Sequence, residues 1–290
     1  MPSTRVKSKW VGGNLIFTDR SGTQIMKIDG VNNAVTYRAG SAASAGLSPD
    51  LWADCPRAEM LIDPGIGHFI GDDFTLINGE SFTTAKNYTL AGANGTFTHT
   101  AADPNGVALL TATGADNDEC NIELASTVGV IKLDATKNWW FETRVKMNQI
   151  TTAQGVFAGL VLDTVTMGVD FHTDNDMVLK VQSLLGFQVI HAIDAAAIWQ
   201  SIQILTGGAR VAINATLATA STGFVKLGMK SLSGTVTFYV DGVADTTTTT
   251  SASANYPLDQ YVVPVFGTKC GTAVANTLSV DWWYAAQLRA

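Results

Sequence analysis

Apolar and polar residues alternate in short runs along the chain from residue 72 onward. In the run WFETRVKM (140–147) every charged residue falls on one parity, and the other parity holds Phe, Thr, Val and Met. Successive side chains of a strand point to opposite faces of a sheet, so this pattern predicts a β-strand with one buried face. The runs FVKLGMK (224–230) and TVTFYVDG (235–242) alternate in the same way, and the second ends in Asp241-Gly242, a hairpin-turn sequence.

Similar runs recur about every ten residues through the same region. They occur at 95–102, 106–113, 156–163, 187–193, 209–217, 261–267 and 277–288. Short strands at this spacing favour an antiparallel sandwich, so the fold class predicted is all-β. Two segments depart from the pattern. Residues 193–205 show a helical period, and the Thr-rich segment 246–254 predicts a long loop.

The first 46 residues are organised differently and form a predicted N-terminal β arm. Three short strands are predicted at 14–19, 23–30 and 34–39, with turn residues between them. Three strands of this length bury too little apolar surface to fold alone, so the arm needs a partner surface. The residues expected to make this contact are Leu15, Phe17, Ile25, Ile28 and Val35.

A joint is predicted at 47–71, between the arm and a sandwich at 72–290. The segment CPRAEMLIDPGIGHFIGDDF (55–74), which runs through most of it, combines Cys, His and several acidic residues, which could bind a divalent metal. Its carboxylates lack the every-second-residue spacing of a calcium loop, however. Asp63 before Pro64 is ordinary turn chemistry, and Asp72 can cap the following turn. The connector interpretation is therefore preferred, and no metal or other cofactor is predicted.

Composition and charge narrow the classes of function. Only 15% of residues are charged, against roughly 25% in an ordinary soluble domain, and the net charge is −7. Nucleic-acid binding needs a concentrated basic face, and the chain has only Arg5, Lys7 and Lys9 near one another, so no nucleic-acid partner is predicted.

No run approaches the ~18 apolar residues of a membrane span or resembles a secretory signal, so we expect synthesis in the cytoplasm and no membrane partner. Three well-separated cysteines predict buried thiols.

Four segments resemble the concanavalin A-like lectin/glucanase superfamily, in its laminin-G-like branch. They are WWFETRVKM (139–147), GVFAGLVLD (155–163), VKLGMKSLSGTVTFYVDG (225–242) and LSVDWWYAAQLR (278–289). The resemblance implies a jelly-roll sandwich over residues 72–290. It does not define a function, because this fold hosts lectins, hydrolases and inert structural modules.

The N-terminal segment resembles the opening of structural proteins of tailed bacteriophages. The residues that carry this resemblance are VKSKWVGGNLIFTDRSGTQIMKIDGVNNAVTY (6–37). The segment LWADCPRAEMLIDPGIGHFIGDDF (51–74) is similar to the joint between arm and lectin-like domain in such proteins. The resemblance implies a capsid decoration or head-fibre protein on the virion surface, which binds the major capsid protein or another virion protein. A homo-oligomer is expected, with a trimer favoured by analogy with decoration proteins. The alternative is a carbohydrate-binding head- or tail-fibre module that contacts host surface glycans.

Glucanases of this superfamily carry a strand motif of the form E-x-D-x-x-E, whose carboxylates lie ~5–5.5 Å apart in retaining enzymes. The nearest sequence here is DECNIEL (118–124), in which Glu119 and Glu123 share a face but Asn121 replaces the middle Asp. The two Glu are ~13–14 Å apart along a strand. No catalytic residue is therefore predicted, and the protein is not expected to be an enzyme. Acidic turns at 114–119 and 172–177 could supply calcium ligands, but Asp and Asn also favour such turns conformationally.

Two pairs of adjacent tryptophans, 139–140 and 282–283, lie in predicted strands. One member of each pair is expected to face the core and the other to face outward. Trp140 and Trp283 are therefore candidate contacts for a glycan or a protein neighbour, and the protein neighbour is preferred.

Overall fold

The computed structural model describes residues 7–18, 24–29, 34–37, 46–74, 88–99, 106–125, 129–162, 171–174, 176–180, 182–190 and 197–289. The chain divides into two units, residues 1–49 and residues 50–290. Within the described ranges, no helix has the length and apolar character needed to cross a membrane.

The first unit contains a four-stranded antiparallel sheet whose strands are neighbours in chain order. Its strands are β1 (Lys7–Val11), β2 (Asn14–Thr18), β3 (Gln24–Asp29) and β4 (Ala34–Tyr37). The last three correspond to the three predicted strands, whereas β1 was not predicted. The pair Gly12-Gly13, with both residues at positive φ, turns the chain between β1 and β2, as a two-residue hairpin loop requires.

Two short helices and the remaining strands follow. They are α1 (Pro49–Trp52), α2 (Arg57–Ile62), β5 (Gly67–Asp72), β6 (Tyr88–Ala91), β7 (Gly95–His99), β8 (Ala108–Ala112), β9 (Glu119–Leu124), β10 (Ile131–Lys132), β11 (Trp139–Met147), β12 (Gln154–Leu162), β13 (Leu184–Ile190), β14 (Ile198–Ile204), β15 (Val211–Thr219), β16 (Val225–Leu232), β17 (Thr235–Val240), β18 (Val243–Thr250), β19 (Tyr261–Cys270) and β20 (Asn276–Leu288).

The strands of the second unit form two eight-stranded antiparallel sheets among the described residues. Sheet I has the order β15-β14-β13-β12-β19-β9-β6, and β10 also pairs with β19. Sheet II has the order β18-β17-β16-β11-β20-β8-β7, and β5 also pairs with β20. The antiparallel sandwich that the alternating pattern predicts is therefore confirmed.

The main core lies between the two sheets and is lined by alternate residues of their strands. Phe141 and Val145 of β11 and Phe238 of β17 are buried in it, on the parity that the sequence pattern assigns to the core. Burying one side chain of this size stabilises the fold by ~1.5–3 kcal/mol. This core fixes the register of sheet II, because a one-residue slip would turn every such side chain to the other face.

The helical period read at 193–205 is wrong where the structure describes this segment, because residues 198–204 form β14. Trp199 of this strand enters the main core, while Ile202 and Ile204 enter a second apolar cluster on the other face of sheet I. A strand that is buried on both faces has apolar residues on both parities, so alternation does not reveal it.

The loop predicted at 246–254 is also wrong over its first half, because residues 243–250 form β18 at the edge of sheet II. Thr is β-branched and suits a strand. The hydroxyl of Thr249 donates a hydrogen bond to Gln203 of sheet I.

The segment 47–71, predicted as a joint, is largely part of the sandwich unit, which begins at Asp50. β5 pairs with β20 from Gly67 opposite Leu288 to Asp72 opposite Trp283. Both helices of this segment are short, and Pro56 precedes α2 directly.

Candidate functional site

Strand β9 presents Glu119, Asn121 and Glu123 on the face of sheet I that points away from the main core, so their predicted shared parity is correct. Their partners on β19 are Lys269, Gly267 and Val265. These are the positions nearest to a glucanase motif, and their surroundings decide whether they can meet a substrate.

Glu119 is completely buried, and its carboxylate is fully engaged. It accepts hydrogen bonds from the backbone N–H groups of Phe171 (2.9 Å) and His172 (2.8 Å) and from Nδ1 of His172 (2.6 Å). Burial alone would raise the pKa of Glu119, but the hydrogen bonds and charge of His172, with the charge of Lys269, hold this pKa below its ordinary value. The carboxylate is a structural acceptor, and it is not free to act as a nucleophile.

Lys269 anchors the same segment from the neighbouring strand. Its side chain is also completely buried, and its Nζ donates to the carbonyl oxygen of His172 (2.8 Å) and to Oδ1 of Asp174 (2.6 Å). Residues 171–174 are therefore tied to sheet I by one buried carboxylate and one buried ammonium group.

Two glycines make room for the side chains of His172 and Asn121 on this face of the sheet. A Cβ atom on Gly155 would lie 2.7 Å from Cδ2 of His172. A Cβ atom on Gly267 would lie 2.1 Å from Oδ1 of Asn121 and 3.4 Å from Cε1 of His172. A side chain at Gly155 would therefore displace the imidazole ring, whereas a side chain at Gly267 would displace the carboxamide of Asn121.

A second apolar cluster covers the rest of this face. Its buried members are Phe157, Val161, Phe171, Leu179, Leu184, Ile202, Ile204, Val263 and Val265. Phe171 and Leu179 come from the connection between β12 and β13, and the others come from sheet I. Within the described residues, the outer face of sheet I is therefore filled near Glu119 and has no open groove for a polysaccharide there.

Trp140, a predicted outward contact, is completely buried, which corrects that prediction. It does point away from the main core, but its Nε1 lies 3.4 Å from Asp54 and donates to it. The neighbouring Trp52 of α1 donates from its Nε1 to Oε2 of Glu142 (2.7 Å), and a Cβ on Gly228 would lie 2.2 Å from Leu51. The outward face of sheet II is thus covered here by the segment that the sequence pattern assigned to a joint.

Trp283, the second predicted contact, is also buried, because it is the core-facing member of its pair. Its Nε1 donates to the hydroxyl of Tyr88 (2.8 Å), and that hydroxyl donates to Oδ2 of Asp72 (2.8 Å). Burial and the charge of Asp72 raise the pKa of Tyr88, so the phenol stays neutral and can serve as both donor and acceptor.

These three side chains border a cleft of about 370 Å³ that sequence reasoning missed. Its lining residues are Ile70, Gly71, Asp72, Tyr88, Leu124, Ala125, Val130 and Trp283. They come from β5, β6, β20, the end of β9 with the residue after it, and the residue before β10. Residues so far apart in the chain give no local sequence signal that they meet.

Three of the acidic and histidine side chains of segment 55–74, those of Asp63, His68 and Asp72, make hydrogen bonds within the fold. Asp72 accepts from the N–H of Phe74 as well as from Tyr88, which is the turn capping that the sequence predicts. Nε2 of His68 lies 2.5 Å from the carbonyl oxygen of Val130. No group of three or more His, Cys, Asp or Glu side chains that could hold a metal ion is found in the described part of the chain.

The cysteines are buried free thiols, as predicted. Burial raises the pKa of both the Cys55 and the Cys120 thiol to about 12, so each stays protonated at neutral pH. A protonated thiol is a poor nucleophile, so these two cysteines are structural.

The arm residues are placed by strand pairing. Leu15 pairs with Ile28, and Ile28 pairs with Val35. Phe17, two residues after Leu15, lies on the same face. Ile25 lies at a shift in the register between β2 and β3, where it has no partner on β2. The side chains at residues 17–45 lie outside the described ones.

No family model and no curated protein sequence matches the chain. Solved structures do match the sandwich. Peanut lectin in complex with a nine-residue peptide superposes with a TM-score of 0.52 and 12% identity over 77% of this chain and 99% of the lectin. An endo-1,3-β-glucanase from Streptomyces sioyaensis gives a TM-score of 0.50 and 15% identity over 76% of this chain and 95% of the enzyme. A family 16 glycoside hydrolase from Bacteroides ovatus gives a TM-score of 0.50 and 12% identity over 74% of this chain and 98% of the enzyme.

At this level of identity the likeness establishes the fold, which is the concanavalin A-like jelly roll that the sequence resemblance implied. Lectins and hydrolases are both among the similar structures, so the fold alone selects neither activity.

Proposed function

We propose that the chain is a non-enzymatic structural protein of a bacteriophage virion, a decoration or cement protein of the capsid. The arm binds the major capsid protein or another virion protein, and the sandwich is displayed outward. The observation that carries the non-enzymatic part is the enclosed carboxylate of Glu119, which belongs to the segment nearest to the glucanase motif and lies under residues 171–174. The phage part rests on the resemblance of residues 6–37 to virion proteins.

The proposed mechanism is stabilisation by mass action. A protein that binds the assembled lattice but not free capsid subunits lowers the free energy of the assembled state. The size of this stabilisation depends on the concentration of the protein relative to its dissociation constant. Residues 1–49 form a unit separate from the sandwich, which supports separate roles for the arm in binding and for the sandwich in display.

The test is binding to purified particles that lack this protein. We expect the full chain to co-sediment with particles and to raise their resistance to heat, while a chain that begins at Asp50 remains folded and does not bind. Equal binding by the truncated chain would contradict the role of the arm. Absence of binding by the full chain would contradict the virion proposal.

A carbohydrate-binding module is the second candidate, and the cleft at Asp72 and Tyr88 favours it. The carboxylate of Asp72 and the exposed side chain of Ile70 line this cleft. A carboxylate can accept hydrogen bonds from sugar hydroxyls, and an apolar side chain beside it can pack against the apolar face of a sugar ring. A glycan array probed with the full chain tests this candidate. The variant Ala125→Trp, at the cleft, should abolish any signal, whereas Ala244→Trp on the exposed edge strand β18 should leave it unchanged.

A further inference from the structure

The hydrogen bonds beneath the cleft at Asp72 and Tyr88 all run in one direction. Nε1 of Trp283 can only donate, and it donates to the hydroxyl of Tyr88 (2.8 Å). That hydroxyl in turn donates to Oδ2 of Asp72 (2.8 Å), because a carboxylate can only accept. Every polar hydrogen of these three side chains is therefore used within the protein.

The spare hydrogen-bonding capacity of the lining side chains consists of acceptors. The carboxylate of Asp72 has about four lone-pair sites. The structure uses two of them, one for the N–H of Phe74 (2.7 Å) and one for the hydroxyl of Tyr88. The other lining side chains besides Trp283 are apolar, and they belong to Ile70, Leu124, Ala125 and Val130. A polar group that meets these side chains must therefore donate hydrogen bonds.

The charge of the cleft favours the same kind of ligand. Asp72 is the charged member of the lining, which contains no Lys, Arg or His. None of the ion pairs between described residues includes Asp72. A carboxylate beside apolar walls attracts a cation more strongly than one in bulk water, because the effective dielectric constant is lower there.

The cleft is open to solvent and small. Ala125 is exposed and Ile70 is 40% exposed, whereas Trp283 is buried beneath them. The volume of about 370 Å³ lies near the lower end of the ~300–1,000 Å³ of small-molecule sites, so it suits one side chain. A long basic side chain can lay its aliphatic stem along apolar walls and keep its charged end at a polar group.

We propose that this cleft binds the side chain of an arginine on the surface of a partner protein. A guanidinium group has only N–H donors and a permanent positive charge, which matches a carboxylate with spare lone pairs. Arginine is favoured over lysine because its planar group can pair with both oxygens of a carboxylate, and because arginine is enriched among the residues that dominate protein interfaces. A sugar fits less well, since its hydroxyls also accept hydrogen bonds and the lining side chains have no free donor.

Short peptides with blocked ends test the class of ligand. One peptide has a single arginine flanked by alanines, and its match has citrulline, a neutral isostere of arginine, in the same place. We expect the arginine peptide to shift the indole N–H signal of Trp283 in NMR spectra of the full chain, with a dissociation constant on the order of 1 mM. The citrulline peptide should bind at least about tenfold more weakly.

Three outcomes of this titration overturn the proposal. They are the absence of a shift with the arginine peptide up to about 20 mM, equal affinities for the two peptides, and tighter binding of glucose than of the arginine peptide. The last outcome would favour the carbohydrate candidate at the same cleft.

Two matched variants test the place of binding. Asp72→Asn removes the charge but keeps an oxygen that can accept from Phe74, and it should weaken binding of the arginine peptide at least about tenfold. Asp73→Asn removes the same charge from the next residue, which is exposed and outside the lining, and should change binding by less than about twofold. Similar losses for the two variants, or no loss for Asp72→Asn, would exclude the proposed contact.

A third variant keeps the proposal testable if Asp72→Asn disturbs the fold. Ala125 is exposed, so Ala125→Trp can fill the mouth of the cleft without changing the core, and it should abolish binding of the arginine peptide. Ala244→Trp, on the exposed edge strand β18, should leave binding unchanged. Undiminished binding by Ala125→Trp would mean that the peptide binds elsewhere.

This inference goes beyond the virion role and fails separately from it. A full chain that binds particles but not the arginine peptide removes this inference and leaves the virion role. A full chain that binds the peptide at Asp72 but binds no particle removes the virion role and leaves this inference.

Discussion

Nδ1 of His172 lies 2.6 Å from a carboxylate oxygen of Glu119, and both side chains are shielded from solvent. Glu119 belongs to sheet I, whereas His172 belongs to the connection that covers it. The pair therefore joins a strand of sheet I to the connection that covers it. Breaking a hydrogen-bonded pair that is buried in this way costs much free energy, because removing one partner leaves the other unpaired where water cannot reach it.

Glu119→Gln should lower the free energy of unfolding by about 3 kcal/mol, since one carboxylate serves three donors and an amide oxygen cannot replace it. Urea unfolding followed by tryptophan fluorescence measures the change. Asp116→Asn, an exposed neighbour in the same turn region, removes the same charge and should cost less than about 0.5 kcal/mol. Similar losses for the two variants would contradict the structural role of Glu119.

The same carboxylate should make stability depend on pH. The pKa of Glu119 is held below its ordinary value in the folded protein, so its contribution is complete above the unfolded-state pKa of about 4.3 and is lost as pH falls through the lower folded-state pKa. The free energy of unfolding of the wild type should therefore decline more steeply below about pH 4 than that of Glu119→Gln. Parallel urea curves for both proteins at several pH values decide this, and identical slopes would exclude the effect.

Gly267→Ala should destabilise the sandwich by about 2 kcal/mol through overpacking, because the added Cβ would meet Oδ1 of Asn121 at 2.1 Å. Gly223→Ala, whose added Cβ would have only the hydroxyl of Ser221 nearby, at 3.5 Å, is the matched control and should be nearly neutral.

The double variant Asn121→Ala/Gly267→Ala tests the cause of that loss. Removing the carboxamide frees the space that the new methyl group needs, so the two losses should be non-additive by about 1 kcal/mol or more. Simple additivity would mean that the clash lies elsewhere.

The alternating runs contain enough information to predict the class of fold and the shared face of Glu119 and Glu123, because both depend only on the two-residue period of a strand. Contacts between distant residues carry no such period. Trp52 meets Glu142 across 90 positions, and Glu119 meets His172 across 53, so the burial of Trp140 and of Glu119 could not be read locally. Strand β14 was missed for a related reason, since burial on both faces removes the alternation on which the prediction depends.

No release of sugar from β-1,3- or mixed-linkage glucans is expected from the purified chain, because Glu119 is enclosed and Asn121 stands where the glucanase motif has an acidic residue. A reducing-sugar assay with long incubation measures this. Activity that disappears in Glu123→Gln would overturn the non-enzymatic proposal, whereas activity that persists in that variant would point to a contaminant.

The place where the sandwich begins can be tested by truncation. A chain that begins at Asp50 keeps Leu51 and Trp52, which are buried against the outward face of sheet II, and keeps β5 paired with β20. A chain that begins at Asp72 loses all three. Burial of one Trp is worth roughly 3–5 kcal/mol, and 1 kcal/mol shifts the melting temperature of a unit of this size by about 2–4 °C.

The melting temperature of the chain beginning at Asp50 should therefore stay within a few degrees of the full-length value, whereas the chain beginning at Asp72 should melt at least about 10 °C lower or fail to fold. Circular dichroism of both chains gives the answer. Equal melting temperatures would mean that residues 50–71 act only as a connector. A large difference would mean that this segment seals the outward face over Trp140, which would explain why a tryptophan predicted to meet a partner is instead covered by its own chain.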